Sequence, residues 1–325
     1  MKAGLYLWVA SAFIATLAVA QDREWAEAMT RAHQAEDRGD YLEAVSQARR
    51  AVAVSERLGP RDERTWVAYN FLGIAYQEAG LLAESLHTFR HTLGLIKSAL
   101  GTENPVYAVE LANEGTVYIV AGDPHIAVSK LEEALRIEMR CSDPVPVRLP
   151  ETQSRLGEAL LAVGRRDEAE RMMQLAVSAF TKNNNTIEGA IALNNLGIVR
   201  RWQHRYDEAI ELVTRSIAMI DRAYGPGHPL SLRPLNNLAV LNVFIGKYEE
   251  ADAAFQQGKA ICEKKLPRDH PSYAGVLANY AYFLRKTGEK SRAKAMEQQA
   301  RTLNRDNSRR DGLSLTVDAS AFRHP

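Results

Sequence analysis

Apolar and small residues recur along this chain three and four positions apart, the spacing that gathers them on one face of an α-helix. The pattern breaks at short clusters of Gly, Asp, Lys and Pro. One such break repeats: Gly39-Asp-Tyr-Leu-Glu-Ala44, Gly80-Leu-Leu-Ala-Glu-Ser85, Gly122-Asp-Pro-His-Ile-Ala127, Gly164-Arg-Arg-Asp-Glu-Ala169, His204-Arg-Tyr-Asp-Glu-Ala209, Gly246-Lys-Tyr-Glu-Glu-Ala251 and Gly288-Glu-Lys-Ser-Arg-Ala293. The intervals between first members are 41, 42, 42, 40, 42 and 42 residues. Seven positions before each turn residue stands a small side chain: Ala32, Gly73, Gly115, Gly157, Gly197, Ala239 or Ala281. Five positions after it stands a second, Ala44 through Ala293, and four further on come Ala48, Phe89, Leu131, Met173, Val213 and Phe255. Paired small sites predict two helix backbones in close approach, so each unit reads as helix A, a tight turn and helix B. The links Gly101-Thr-Glu-Asn-Pro105, Gly225-Pro-Gly-His-Pro229 and Pro267-Arg-Asp-His-Pro271 stop one unit and start the next. Short connections make neighbours antiparallel, and the repetition predicts an all-α solenoid of about seven helical hairpins.

The Leu72-Gly73-Ile-Ala-Tyr76 run resembles the core of a tetratricopeptide repeat. The 42-residue period, Asn-Asn-Leu-Gly at 194–197, Asn-Asn-Leu-Ala at 236–239 and the His-Pro links are similar to the longer repeats of kinesin light chain. The resemblance covers about residues 23–304, places the solenoid at 21–304 and implies a right-handed superhelix whose helices A line a concave groove. Arg31 replaces a core Leu in the first unit and Glu297 replaces the Phe of its counterparts in the last, as capping units require. Pro124 and His204 depart from the turn pattern and weaken units 3 and 5; the link 181–186 lacks Pro and predicts a local change of twist. After residue 304 the periodicity ends, so 305–325 reads as a flexible tail that includes Leu313-Ser-Leu-Thr-Val317.

Lys2 precedes eighteen uncharged residues that end in Ala18-Val-Ala20, the pattern of a signal peptide cleaved after Ala20. Export to the periplasm or outside a bacterial-type cell is the expectation, with an uncleaved membrane tether as the alternative. Lys plus Arg total 41 and Asp plus Glu 40; without residues 1–20, whose one charge is Lys2, the two are equal. That balance points away from nucleic acid and anionic membranes. Cys141 and Cys262 fall three units apart, too distant for a disulfide within one chain.

No phosphate-binding glycine loop, Cys-x-x-Cys or nucleophile-elbow motif occurs, and no cofactor or enzymatic activity is expected. The one weak metal candidate is His87-Thr-Phe-Arg-His91 beside Glu84, on the outer face of helix B. His228 and His270, one period apart before helix-starting prolines, read as caps, with Asn104 in the corresponding place. Two positions before the small site of helix A, units 3, 5, 6 and 7 carry Asn113, Asn195, Asn237 and Asn279, while unit 4 has Arg155. In the kinesin-light-chain-like group, amides at this place hold the backbone of an extended peptide; an amide offers both donor and acceptor. Arg155, Arg201, Arg233 and Arg285 would make the groove locally positive, favouring an acidic segment or a terminal carboxylate. The chain thus reads as an exported, non-enzymatic adaptor for a peptide or partner protein. A metal-dependent enzyme, or self-association through the tail, is the alternative.

Overall fold

A computed structural model describes residues 21–141, 149–182 and 187–311. They form fourteen α-helices in seven antiparallel hairpins: α1 (21–37) with α2 (Tyr41–Ser55), α3 (Glu63–Glu78) with α4 (Leu82–Leu100), α5 (Pro105–Ala121) with α6 (Pro124–Arg140) and α7 (Leu149–Ala162) with α8 (Arg166–Lys182). The remaining pairs are α9 (Ile187–Trp202) with α10 (Tyr206–Tyr224), α11 (Leu232–Phe244) with α12 (Tyr248–Lys265), and α13 (Pro271–Lys286) with α14 (Lys290–Asp311). Odd-numbered helices are the helices A of the sequence pattern. The last helix continues past Asn304 to Asp311, which corrects the start of the expected tail. Residues 1–20, the Leu313–Val317 run and most of the short link 181–186 lie outside the described residues.

The turn chemistry explains the period. All seven turn residues adopt positive φ, from 59° at His204 to 92° at Gly288, and each lets the next N–H donate to the carbonyl five residues earlier at 2.8–2.9 Å. Six are glycines; His204 takes the left-handed conformation with Nδ1 2.9 Å from the Tyr206 hydroxyl. Pro124, expected to weaken its unit, occupies the first turn of α6, where its missing N–H breaks no hydrogen bond. The small sites close the hairpins as the spacing requires. A Cβ on Gly73 would lie 2.5 Å from the Phe89 ring, and on Gly157 or Gly197 2.7 Å from Met173 or Val213. Phe89, Leu131, Met173, Val213 and Phe255 are all buried.

The superhelix winds tightly enough to touch itself. The turn of unit 1 lies against the link entering unit 6, and the turn of unit 2 against the link entering unit 7. A Cβ on Gly39 would fall 2.7 Å from Pro229 Cδ, and one on Gly80 2.5 Å from Pro271 Cδ. Across the second contact, His270 Nε2 lies 2.8 Å from the Glu78 carbonyl oxygen. One buried apolar cluster accordingly runs from α1–α3 into α11–α14, joining Ala79 and Phe71 with Leu232, Leu266, Tyr273 and Leu277. Successive superhelical turns are therefore in register at five units.

Candidate functional site: the inner wall of the superhelix

Helices A form the inside of the curve. Each touches the next helix A along much of the chain, and contacts between side chains 41 to 43 residues apart recur there. The amide row is the clearest case. Asn195 Nδ2 donates to Ser154 Oγ at 3.4 Å, Asn237 Nδ2 to Asn194 Oδ1 at 2.8 Å and Asn279 Nδ2 to Asn236 Oδ1 at 3.1 Å. In unit 4 Arg155 donates to Asn113 Oδ1 at 2.8 Å. Asn113, Asn195 and Asn279 are buried and Asn237 half-buried. These side chains bond between adjacent helices A, which is the bracing that amides at this spacing can supply. For Asn195, Asn237 and Asn279 the interhelical bond satisfies a donor that burial would otherwise strand, whereas Asn113 accepts from Arg155 and its buried Nδ2 has no hydrogen-bond partner.

Arg155 and Arg233 both lie near enough to Glu78 to lower its pKa, while Arg201 and Arg285 have other neighbours. Arg233 of α11 pairs with Glu158 of α7, two units back along the inner wall. Arg285 pairs with Glu297 of α14. Arg201 lies with its guanidinium 5.2 Å from the Trp202 ring centroid and 5.9 Å from that of Phe244, and the Arg166 guanidinium lies 4.5 Å from the Trp202 centroid. Cation–π contact of this kind orients a guanidinium.

Glu78, the last residue of α3, was not legible as a site residue. Burial comes first in pushing its carboxyl up to about 7, and Glu36 adds to the rise; Arg233, Arg155 and a hydrogen bond from Tyr41 oppose it. Tyr41 is raised as well, first by burial and then by Glu78. Nothing local in Gln77-Glu78 signals this, because the burial arises from the turn-on-turn contact.

His228 and His270 are caps. Their Nδ1 atoms accept from Leu230 N at 3.3 Å and Ser272 N at 3.2 Å, as Asn104 Oδ1 does from Val106 N at 2.9 Å. An accepting Nδ1 fixes the neutral tautomer with its proton on Nε2, which leaves His270 able to donate to Glu78 across the seam. His228 faces the Glu36 backbone in the homologous place without a well-formed bond, and burial holds its pKa below the usual value. His87 and His91 are exposed on the outer face of α4, where His91 packs edge-on against Tyr69 with ring centroids 4.8 Å apart. Among the described residues no group of three His, Cys, Asp or Glu side chains could hold a metal ion, and no helix is long and apolar enough to cross a membrane. Both thiols are free; burial pushes Cys262 up to about 12.

Residues 188–264 match the model of the tetratricopeptide repeat. Over its described residues the chain is an all-α solenoid of helical hairpins, and this segment is similar to that repeat. The solved structure of a Rap protein complexed with competence and sporulation factor superposes with a TM-score of 0.59 at 11% identity, covering 89% of this chain and 99% of that one. BtubC (BKLC) from P. vanneervenii gives 0.51 at 17% identity over 69% of this chain and 91% of its own. At such identities the likeness is one of fold. Among curated proteins, the secreted RxLR effector protein RXLR-C07 of Plasmopara halstedii is 23% identical over 59% of this chain, and the match spans 60% of that relative's length.

Proposed function

We propose that this solenoid is an exported, non-enzymatic scaffold that holds an extended peptide segment or partner protein along its inner wall. The observation that carries the reading is the row of apolar side chains left partly exposed on successive helices A, among them Ile74, Val120, Leu161, Ile191, Ile198 and Tyr282. Groups of that kind on a preformed concave surface supply area and shape at little ordering cost. In this reading Asn113, Asn195 and Asn279 hold the curvature of the wall, while Asn237, Arg201 and Arg285 keep enough exposure to meet a ligand. Arg155 and Arg233 set the wall's electrostatics through Asn113 and Glu158. Export is supported by the apolar stretch after Lys2 and by likeness to a secreted relative.

Two exposed apolar residues of similar size allow a matched test. A photo-crosslinking amino acid at Ile191 on the inner wall should capture a peptide or protein from the exported fraction, and the same group at Leu175 on α8 should not. Equal capture from both positions would reject the inner wall. Mass spectrometry of the exported protein should find Gln21 as its first residue; an intact Met1 would reject cleavage.

A further inference from the structure

Alignment of the units exposes a polarity along the inner wall. The two residues four and five positions after the small site of helix A form its last inward-facing turn before the bend. In units 1 and 2 they include Glu36, Asp37 and Glu78. In units 3 and 4 they are apolar: Ile119-Val120 and Leu161-Ala162. In units 5 and 7 they are Arg201-Trp202 and Arg285-Lys286, with Phe244 between them in unit 6. These side chains keep partial or full exposure, except that the Glu78 carboxyl is buried. Equivalent positions on one face thus pass from acid through apolar to cation and ring.

Local contacts modulate the gradient without erasing it. His33 lies 3.5 Å from Glu36, and Glu78 feels Arg155 and Arg233 from the opposite side of the wall. At the other end Arg285 pairs with Glu297 yet stays exposed, and Lys286 sits 6.0 Å from the Tyr248 ring centroid.

We infer that the inner wall accepts one class of ligand: an extended segment with cationic residues at one end, apolar residues in the middle and acidic residues at the other. The cationic end lies against Glu36 and Asp37. The acidic end lies against Arg201, Arg285 and Lys286, and the apolar centre crosses units 3 and 4. This rests on the inner-wall reading above and adds the charge order. From unit 1 to unit 5 is four helix spacings of ~8–10 Å, or about eleven residues of extended chain at ~3.3 Å each. Complementary ends then fix which way the segment lies, because the reversed placement sets like charges together at both ends.

Three fluorescein-labelled peptides of about fourteen residues with the same apolar centre test this by anisotropy: one with Lys at one end and Glu at the other, one with Glu at both ends, one with Lys at both. The first should bind at least about tenfold more tightly than either of the others, with a salt-dependent advantage. Glu36→Lys with Asp37→Lys should transfer the preference to the all-Glu peptide, and Arg285→Glu with Lys286→Glu to the all-Lys peptide, with helical circular dichroism unchanged. Equal binding of the three, unmoved by either double substitution, overturns the polarity and leaves the inner-wall reading standing. No binding of any peptide overturns both. Sedimentation that shows head-to-tail oligomers of the unliganded protein, lost in the double variants, overturns the proposal in favour of a second copy as the occupant.

Discussion

Units 2 and 3 begin helix A under Asp62 and Asn104, whereas unit 7 begins it under His270 and unit 6 has His228 capping the short 3-10 turn Pro229–Ser231 that leads into α11. All four side chains accept the same backbone N–H two residues on, so the cap itself does not explain the change of residue type. The environment does. The later links carry the preceding superhelical turn, and an imidazole has a second nitrogen that can donate upward while the first accepts. Asp has no second donor, and the Asn amide reaches too short a distance beyond the cap. A periodic position can therefore record which repeats sit against another turn of the same molecule.

The largest test of that contrast is at the turns. Gly80→Ala combines a left-handed φ of 75° with a Cβ 2.5 Å from Pro271, whereas Gly246→Ala faces a φ of 80° and no neighbour within 4 Å. Urea unfolding should show a loss of about 2–4 kcal/mol for the first and about 1 kcal/mol for the second. Equal losses would mean that the two turns of the superhelix do not bear on each other.

Glu78 gives the next effect, and its sign depends on pH. Its carboxyl titrates at about 7 in the fold against 4.5 when unfolded, so the folded state holds the proton more tightly. Stability is retained below 4.5, falls as pH rises, and the loss is complete above 7. Glu78→Gln should then stabilise the protein by about 1–3 kcal/mol at pH 8 and change little at pH 4. A pH-independent effect would place the group in water. His228 has the opposite slope: burial lowers its pKa, so its contribution is present above about 6.5 and fades as pH falls.

Smaller again are the caps. His270→Ala should cost about 2 kcal/mol, the cap plus the bond to Glu78, against about 1 kcal/mol for Asn104→Ala; His270→Asn should fall between them by restoring the cap alone. The smallest expected effect is at the inner-wall amides. Asn237→Ala, at a half-buried position, should lose less than about 1 kcal/mol, and Asn195→Ala, fully buried, somewhat more.

These cases show what a linear pattern can and cannot reveal. The hairpins were legible because turns, small sites and caps are local: Gly122 sets a bend, and Gly115 admits Leu131 sixteen positions later. The His caps were legible for the same reason. The amide row was visible as a row, and bracing between neighbouring helices was one reading of it, but its partners Ser154, Asn194 and Asn236 lie one unit away and were not. The places of Arg201, Arg233 and Arg285 depended on Glu158, Glu297 and two rings brought in by curvature. Glu78 and the seam could not be read at all, because they need the superhelical pitch, which is the sum of many small inter-unit rotations.

A coil whose turns meet five units apart counts its own members. Excising one internal hairpin would set Gly80 above the wrong link and strand both imidazoles, while an extra hairpin appended beyond α14 would leave every existing contact in place. Gene-level tinkering with this architecture should thus be lopsided: growth tolerated at the distal end, and internal loss or duplication penalised well beyond the stability of the hairpin concerned.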